Sequence, residues 1–589
     1  MEEGGINSEV QLAINITARQ SSDSSYFPPN FGSPAAQVAI HAEAPSRPTG
    51  YAPIPQHPPQ NEPPTEKMEE GGINSEVQPT VNVTAQRSTV PPQSSYFPPN
   101  FPPAQVAIHV EASSIPPGYA PTPQRPPQIM PPTEGWFARN QRNKPQSNSV
   151  GSAIFVLVAG GMNLAWSCGF VEVEGFETDT HILICWYIAA IIGALISAFI
   201  TNRITKRPIY LFSGFLVLLG GILSVSLPHE YGAIAAARYL NGFAVGLTFV
   251  PLLVLIGEEV DCHQRGVIAA ILEAGSFTLG IFMQIALFTT HYDSVTSSYY
   301  KTFGPTELHG IIVIVFGVLT CIMSYFLVVE SPIYYLLRND ENQAIDCLRR
   351  LQRPFVVTQE TYQQLGEHKR YVEGNGYDSN LSLSALLKFC LYRGLIALSF
   401  SPFTTIGLVT SSVLYVGFDT WPFIIFGLSL WLGSFIAGFL IDWTGRKILT
   451  LIGALVCGGM AIGAGSIYHE PINILDPTKP DSILYILFVL ELFAGIFRSS
   501  SSAYLTEAFP LHLKSYYIAI SFIVEMLVLL IIECCHLDPD RLDAYFITVG
   551  VFFLVFFVLG VLFLPETKKL TLREAQDKFK LERIINVFA

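Results

Sequence analysis

From Gly151 to Leu564, apolar stretches alternate with short polar connections. An α-helix rises about 1.5 Å per residue, so about 20 apolar residues cross the hydrocarbon core of a bilayer. Stretches of that kind occupy residues 151–172, 183–201, 208–227, 232–256, 267–289, 309–328, 392–415, 421–441, 448–468, 482–505, 515–535 and 543–564. The pattern predicts an all-α membrane protein with twelve transmembrane helices, arranged as two groups of six.

A short polar segment interrupts the apolar pattern at corresponding places in the two groups. Between the eighth and ninth stretches it contains Asp442, Gly445, Arg446 and Lys447, and between the second and third it contains Asn202, Arg203, Lys206 and Arg207. Each segment has the length of a tight turn, and its cations are expected to lie in water beside phosphate headgroups. Internal repetition of this kind is typical of transporters.

The composition excludes an ordinary soluble enzyme. Of 589 residues, 50% are hydrophobic and only 14% are charged. The nine cysteines have no paired spacing that would indicate a zinc site or a disulfide framework, and no basic stripe indicates nucleic-acid binding. No nucleophile and base pair or phosphate-binding loop is recognisable, so we expect no enzymatic activity, no metal and no cofactor.

Residues 1–145 are predicted to be a disordered, proline-rich cytosolic tail. They are rich in Pro, Ser, Gln and Asn and too poor in apolar clusters to offset the entropy of ordering. They contain a tandem repeat whose copies begin at Met1 and Met68. Segments such as PPNF and PPGYAP could bind a polyproline-recognising partner, or the tail could be a duplicated, solvated leader.

The distribution of Lys and Arg orients the predicted helices. One set of alternate connections is rich in these cations, whereas the opposite set holds only Lys301, Lys479 and Arg541. Since cytosolic loops carry the excess of positive charge, both termini are predicted to be cytosolic. The glycosylation acceptors Asn15 and Asn82 are then expected to stay unmodified, and the plasma membrane is the expected location.

The same pattern divides the rest of the chain into segments. The two six-helix halves occupy residues 146–328 and 392–566, and a cytosolic C-terminal tail follows at 567–589. Residues 329–391 form a central cytosolic loop in which Ala344, Leu348 and Leu351 have helical spacing. This spacing predicts an amphipathic helix that lies on the cytosolic face.

Several motifs resemble those of the sugar-porter family in the major facilitator superfamily. The fourth apolar stretch and its exit read RYLNGFAVGLTFVPLLVLIGEEVDCHQRG, and later segments read ESPIYYLL, YLTEAFPLHLKS and LPETKKLTL. The two polar turns also resemble the family's turn, with Trp443 where arginine is usual and Asn202 in place of the acid. Within the family, the chain looks similar to the facilitated trehalose and hexose transporters. The resemblance implies two six-helix halves around a central cavity.

The resemblance also implies a gating network at the cytosolic helix ends. Charged residues there can join the halves when the cavity faces outward and separate when it faces inward. The residues assigned to this network are Arg203, Arg207, Glu258, Arg265, Asp442, Arg446, Lys447, Glu507 and Lys514. Each pair is expected to be partly solvated and to contribute about 0 to 1 kcal/mol. Alternatively, the charges only fix the topology by staying in water, which is the interpretation we favour for Arg203.

The family's substrate-binding positions are changed in this chain. Sugar porters carry glutamine and asparagine amides on the seventh helix, where Thr404, Thr405 and Thr410 stand here. The family's Gly-Pro-x-Pro-Trp motif on the tenth helix is replaced by Arg498 to Ser502. Hydroxyl groups can still form hydrogen bonds with a polar ligand. A hexose would nevertheless lose several contacts in which one amide side chain both donates and accepts a hydrogen bond.

The predicted membrane interior instead contains ionisable groups. Arg498, Glu491 and Glu525 lie within apolar stretches. Glu273 stands near the family's fifth-helix glutamine, shifted by one residue if the chain is aligned on Gly280. An unpaired arginine at such depth costs roughly 2.5 to 3.5 kcal/mol, so these groups should face the cavity or each other. The cavity candidates are Asn163, Trp166, Glu273, Thr404, Thr405, Thr410, Glu491, Arg498 and Ser502.

Two roles for Arg498 stay open at this point. It could form an internal ion pair with Glu273 or Glu491 that supports the cavity, or it could bind a solute or take part in proton coupling. Asn163 and Trp166 could line the same cavity or make only polar contacts between helices.

These features predict a transmembrane transporter that moves a small polar solute by alternating access, with a sugar implied by the resemblance. An anionic or proton-coupled solute is the alternative that Arg498 and Glu273 suggest. The loss of the amides and the long tail leave a third interpretation, a membrane sensor or docking protein that binds solute without transporting it. The expected partners are the solute, the lipid bilayer and, for the tail, a polyproline-binding protein.

Overall fold

The computed structural model describes residues 136–171, 173, 176, 178–295, 304–374, 379–416, 419–469, 479–535 and 541–579. The repeat in the tail and both acceptor asparagines lie outside these residues, so the predictions made for them stay predictions. The regular structure within the described ranges is helical throughout, which confirms the predicted fold class.

Twelve helices in the described part of the chain are long and apolar enough to cross a membrane, as the hydrophobic pattern predicts. We number them spans 1 to 12: Ala138–Ser167, Thr180–Ile200, Lys206–Ser226, Tyr231–Glu259, Arg265–Thr290, Pro305–Leu327, Leu383–Val416, Trp421–Thr444, Arg446–Tyr468, Pro480–Glu507, Lys514–Cys534 and Leu542–Phe563. Shorter helices follow spans 6 and 12, at Pro332–Leu336, Glu341–Arg350, Gln359–Glu373 and 572–579.

The spans of the two halves pack in corresponding pairs. Spans 1, 2 and 3 pack on spans 5, 4 and 6, and spans 7, 8 and 9 pack on spans 11, 10 and 12 in the same order. The halves meet along spans 2 and 11 and along spans 5 and 8. Small residues let the backbones approach closely, since a methyl group on Gly161 of span 1 would lie 1.9 Å from the carbonyl oxygen of Phe277 on span 5.

A glutamate that follows the last span of each half caps the third span of that half. Glu330 accepts a hydrogen bond from the backbone N–H of Lys206 at 2.6 Å, at the start of span 3. Glu566 accepts hydrogen bonds from the backbone N–H groups of Arg446 and Lys447 at 3.1 and 3.0 Å, at the start of span 9. The first N–H groups of a helix lack intrahelical partners and attract negative charge. The two glutamates therefore hold the repeated polar turns in place.

Span 7 begins earlier than the hydrophobic pattern predicts, and it is interrupted. Its two helices are Ser379–Ser399 and Pro402–Val416, whereas the predicted stretch starts at 392. The proline has no N–H with which to continue the helix, and Tyr545 of span 12 donates to the freed carbonyl of Leu398 at 2.7 Å. Because the first turns of the helix are polar, they resemble the loop to which the sequence assigns them.

A helix also precedes the first predicted span. Trp136–Val150 begins inside the segment assigned to the tail, forms the first part of span 1 and continues through a 3-10 turn into Ile154–Ser167, the apolar part of that span. Gln146 accepts a hydrogen bond from the backbone N–H of Asp261 at 3.1 Å, and Arg142 lies 2.9 Å from Glu360. This helix is polar along its length, so contacts with the rest of the protein stabilise it and no apolar stripe reveals it in the sequence.

The central segment after span 6 contains the helix expected from its spacing. Glu341–Arg350 is helical, and Ala344, Leu348 and Leu351 are buried. Asp340 caps the first turn by accepting a hydrogen bond from the backbone N–H of Gln343 at 3.1 Å. The apolar stripe of this helix therefore packs inward, as its sequence period indicates.

Replacing Gly445 by alanine tests the turn before span 9. Gly445 has a φ of +106°, and a methyl group there would lie 2.4 Å from Oε2 of Glu566. We expect Gly445→Ala to destabilise the protein by about 1 to 3 kcal/mol and to lower its thermal midpoint in detergent. The matched control is Gly459→Ala on span 9. There no atom lies within 4 Å of the added methyl group, and alanine is a better helix former than glycine. Equal midpoints for the two variants would contradict this account of the turn.

Candidate functional site

Four charged side chains form a buried cluster between the two halves, which we call the central cluster. Glu273 of span 5 lies 3.1 Å from Arg393 of span 7 and 3.4 Å from Arg498 of span 10. Glu525 of span 11 lies 2.6 Å from Arg393 and 2.9 Å from Arg498. Ser502 of span 10 donates a hydrogen bond to Oε2 of Glu273. Two arginines thus neutralise two glutamates, and among the four only Glu273 comes from the first half.

The central cluster is shielded from solvent. The side chains of Glu273 and Arg393 are fully buried, and that of Arg498 is 6% exposed. Aromatic rings cover the guanidinium groups, with the centroid of Phe277 4.5 Å from Arg498 and that of Phe249 5.1 Å from Arg393. Opposite charges must pair in such an interior, because an isolated ion there loses its hydration without compensation. The cluster therefore ties the halves together as well as forming a polar centre.

A local change of helix geometry directs Glu273 toward this cluster. Residues Ala270–Gly275 of span 5 form a π-helical turn, which contains one residue more than an α-helical turn. Glu273, which stands one residue away from the family's fifth-helix glutamine when the chain is aligned on Gly280, lies within this turn. Such π-helical turns occur frequently at functional sites.

Arg498 pairs with two glutamates, and Glu491 is not one of them. Glu491, Arg498 and Ser502 lie on one face of span 10, because residues four and seven apart follow one another along a helix face. The ion pairs of Arg498 nevertheless run to Glu273 and Glu525. Glu491 is fully buried, and neither of its carboxyl oxygens has a hydrogen-bond partner in the described ranges. Of the two roles left open for Arg498, the internal ion pair is the one present here.

Two of the three threonines predicted to face a solute bond to the backbone at the interruption of span 7. Thr404 donates a hydrogen bond to the carbonyl of Ser399 at 3.2 Å, and Thr405 donates to that of Ser401 at 3.4 Å. Thr410 lies farther along the helix and is half-buried. The first two hydroxyl groups therefore satisfy backbone carbonyls at the break.

Asn163 and Trp166 belong to a separate group around Arg238 of span 4, which we call the Arg238 cluster. The Arg238 guanidinium lies 3.8 Å from the ring centroid of Trp166 and donates to Oδ1 of Asn163 at 3.4 Å. It also donates to the hydroxyl of Ser167 and, at 2.8 Å, to the carbonyl of Ile182. Within the described residues no carboxylate pairs with Arg238, so neutral acceptors and an aromatic face surround this charge.

A network of charges closes the junction of spans 5 and 8. Arg446 lies 3.0 Å from Asp442 and 3.0 Å from Glu507. Asp442 also accepts a hydrogen bond from the backbone N–H of Val267 at 2.9 Å, and Arg265 lies 3.8 Å from Glu507. This 5–8 network joins the start of span 5 in the first half to spans 8, 9 and 10 in the second.

The 5–8 network is buried, so the expectation of partly solvated pairs is wrong. The side chains of Arg446 and Glu507 are fully buried, and that of Asp442 is 9% exposed. Water is excluded because the halves touch here. Gly266 permits this approach, since a methyl group on it would lie 2.4 Å from Oδ1 of Asp442. Removing one member of such a buried pair costs about 3 to 5 kcal/mol rather than 0 to 1.

The equivalent junction, between spans 2 and 11, is joined by weaker contacts. Asn202 occupies the position that Asp442 has in the second half, and its amide donates to the hydroxyl of Ser515 at 3.3 Å. Lys514 is buried near the charge of Glu258, and its ammonium has no hydrogen-bond partner in the part of the chain that is described. A neutral hydrogen bond therefore stands where the other junction has a carboxylate and a guanidinium.

Three further residues of the predicted network lie at helix ends. Arg207 donates to the carbonyl of Val328 at 2.7 Å, and Lys447 donates to that of Val561 at 3.0 Å. These contacts correspond in the two halves, since they join span 3 to the end of span 6 and span 9 to the end of span 12. Arg203 is exposed, as expected of a charge that stays in water.

In the described part of the chain, one group of side chains has metal-ligand chemistry. Asp261, Cys262 and His263, between spans 4 and 5, have ligand atoms within 4.8 Å of one another. Burial raises the pKa of the Asp261 carboxyl, but the hydrogen bonds from His263 and Cys262 and the nearby charges of His263 and Arg265 together outweigh burial and lower that pKa to about 2. Mutual hydrogen bonds among consecutive residues account for the grouping, so it carries no metal assignment.

Arg393 is absent from the residues predicted from the sequence. Glu525 is predicted to face the cavity or another ionisable group, but it is absent from the cavity candidates. Arg393 adjoins the predicted start of the seventh stretch, where a cation would reach water. In the structure it lies well inside a span that begins at Leu383. The sequence contains one signal for Arg393, an imbalance of buried charge. Two buried glutamates, Glu273 and Glu525, require two positive charges, and Arg498 supplies only one.

Comparison with known proteins gives a consistent assignment. Residues 176–579 match the family described as sugar (and other) transporter. The D-xylose-proton symporter of Escherichia coli is 25% identical over 438 residues, which are 67% of this chain and 85% of the relative. Sugar transport protein MST7 of Oryza sativa subsp. japonica is 22% identical over 415 residues, which are 66% of this chain and 77% of the relative.

Solved structures show the same fold. The proton:xylose symporter XylE bound to 6-bromo-6-deoxy-D-glucose superposes with a TM-score of 0.58 at 18% identity, over 73% of this chain and 99% of the symporter. A double tryptophan mutant of XylE gives a TM-score of 0.56 at 18% identity, over 74% of this chain and 98% of the mutant. At such identities the likeness concerns the arrangement of helices.

Charge balance in the central cluster predicts a rescue. Arg498→Gln leaves two glutamates with one arginine, and an uncompensated buried charge costs about 3 to 5 kcal/mol. We expect the thermal midpoint in detergent to fall in this variant and to recover in part when Glu525→Gln is added, because the cluster is then neutral. The matched control adds Glu491→Gln instead, at a carboxyl that does not bond Arg498. Rescue by that control, or none by Glu525→Gln, would contradict the pairing.

Proposed function

Because the chain belongs to the sugar-porter family of the major facilitator superfamily, we propose that it carries a small polar solute, a sugar, across a membrane by alternating access. Two relatives support the solute class, since one is named a sugar transport protein and the other a D-xylose-proton symporter. The observation that carries the proposal is a polar centre between two six-helix halves that touch on either side of it.

Contacts between the halves enclose the central cluster toward both ends of the spans. At one end lies the 5–8 network. At the other, Phe423 at the start of span 8 lies edge-on to Phe170 and Phe288 of the first half, with centroids 6.2 and 6.4 Å apart. Gln284 holds this region by donating to the carbonyl of Phe170 at 3.0 Å. Opening one end while the other stays closed gives the centre access to one side at a time.

The central cluster favours a neutral solute over an anion. Each arginine in it lies within ion-pair distance of both glutamates. An anion would have to displace a buried glutamate, whereas a neutral solute binds through hydrogen bonds without disturbing the charge balance. The anionic alternative rested on Arg498, and its guanidinium is already paired with Glu273 and Glu525.

We place the 5–8 network and both termini on the cytosolic side, with the plasma membrane as the location. The support is the excess of Lys and Arg in the connections on this side, which include Arg207 and Lys447. The proposed polyproline-binding partner of the tail rests on the composition of residues 1–145 alone.

Counterflow of D-xylose and D-glucose tests transport directly. Purified full-length protein in liposomes preloaded with unlabelled sugar should accumulate labelled sugar, and protein-free liposomes should not. A raised thermal midpoint with sugar but no counterflow would indicate a sensor rather than a transporter. Absence of both binding and counterflow for the two sugars would overturn the sugar assignment.

The 5–8 network predicts a variant that slows the transport cycle. Asp442→Asn weakens the contact to Arg446 that keeps this end closed, so the equilibrium between conformations shifts while the solute contacts stay. We expect the maximal rate to fall by about ten- to a hundredfold and the apparent affinity to change less, because a charge-assisted hydrogen bond contributes about 1.5 to 3 kcal/mol.

The matched control is Asn202→Ala at the equivalent turn. It removes only the 3.3 Å hydrogen bond to Ser515, so we expect a smaller change in the maximal rate. A loss of affinity at an unchanged maximal rate in Asp442→Asn would show that this residue acts on the solute site and not on the conformational equilibrium.

A further inference from the structure

Glu491, in the middle part of span 10, is a buried carboxyl without a hydrogen-bond partner among the described residues. Its exposure is 0%, and both carboxyl oxygens are unbonded within the described ranges. Span 10 covers Pro480–Glu507, so Glu491 lies about 17 Å along the helix from one end and about 24 Å from the other. It shares its helix face with Arg498 and Ser502, which contact the first half.

The groups around Glu491 do not neutralise an ionised carboxylate. Those close enough to sense its charge are the thiols of Cys168, after span 1, and Cys457 of span 9, and the phenol of Tyr545 of span 12. The charged residues on the spans that pack against span 10 lie in the central cluster, in the Arg238 cluster or toward the far helix ends: Arg238, Glu258, Glu259, Arg265, Glu273, Lys388, Arg393, Asp442, Arg446 and Lys447. On its own face the next cation is Arg498, which is paired with Glu273 and Glu525.

We propose that Glu491 is a protonated carboxylic acid that binds a hydroxyl group of the transported sugar. An ionised carboxylate without partners is unfavourable in this interior, whereas the neutral acid has one O–H donor and one carbonyl acceptor. A glutamine side chain offers a donor and an acceptor in the same arrangement. The sugar-porter amides of the seventh helix are missing here, and protonated Glu491 supplies an equivalent pair from span 10. This inference deepens the proposed sugar transport and rests on it.

Solute release then depends on the proton. When the centre opens to water, hydration allows the O–H bond of Glu491 to break, and the proton passes to a water molecule. The carboxylate that remains cannot donate to the sugar hydroxyl, so binding weakens and the sugar leaves. Proton and sugar therefore enter and leave together, which makes uptake stronger from an acidic solution.

Two substitutions separate the proton from the hydrogen bond. Glu491→Gln keeps a donor and an acceptor but has no titratable proton, and Glu491→Leu has neither. With D-xylose and D-glucose as probes, we expect the wild type to lose affinity as the pH is raised from acidic to alkaline and Glu491→Gln to show no such loss. At the acidic end, Glu491→Gln should bind within about threefold of the wild type and Glu491→Leu about tenfold or more weakly. Equal binding by Glu491→Leu would overturn the ligand role.

A measurement without sugar tests the protonated state independently. The folded protein holds a proton on Glu491 that the unfolded chain releases above about pH 4.3, so raising the pH favours unfolding. The thermal midpoint in detergent should therefore fall more steeply with pH in the wild type than in Glu491→Gln. Equal slopes would overturn protonation. If the slopes differ and the wild type carries neither sugar, the proposed sugar transport and the hydroxyl ligand fail while the protonated site is supported.

Discussion

Pairing of two arginines with two glutamates is what makes the centre of this membrane protein possible. Each of Glu273, Arg393, Arg498 and Glu525 would be unfavourable alone among apolar helices, and together they are neutral. Other features follow from this requirement. The π-helical turn directs Glu273 inward, and the early start of span 7 carries Arg393 deep into the bundle. None of these elements can shift alone without leaving a buried charge unpaired.

The two halves share a fold but not the strength of their contacts. Glu330 and Glu566 cap the third span of each half in the same way, so the repeated turns are built on one plan. The contacts between the halves differ. At the junction of spans 5 and 8, Asp442 contacts the buried guanidinium of Arg446 and the N-terminus of span 5. At the junction of spans 2 and 11, Asn202 makes one neutral hydrogen bond. Opening the junction of spans 2 and 11 therefore breaks weaker contacts than opening the junction of spans 5 and 8.

The sequence predicts the helices well because their apolar length is a local property. All twelve spans are present, and the paired polar turns lie where the pattern places them. The helix Trp136–Val150 and the early start of span 7 escape such reasoning, since polar residues form them and tertiary contacts stabilise them.

The candidate site is harder to predict because it depends on which helix faces pack against one another. Ser502 and Glu273 join Arg498, as expected, but Thr404 and Thr405 bond the helix break and Asn163 and Trp166 surround Arg238. Helical period places Glu491 on the same face as Arg498. Only the packed structure shows that Arg498 pairs with Glu273 and Glu525, and that Glu491 has no hydrogen-bond partner among the residues the structure describes.

The neutrality of the central cluster has an electrical consequence. One elementary charge that crosses the membrane potential gains or loses about 2.3 kcal/mol per 100 mV. A displacement of the four groups as one unit moves two positive and two negative charges, so it transfers no net charge through the field. The return of the empty carrier is therefore insensitive to voltage as far as Glu273, Arg393, Arg498 and Glu525 are concerned, and a current would report only the ions that travel with the solute.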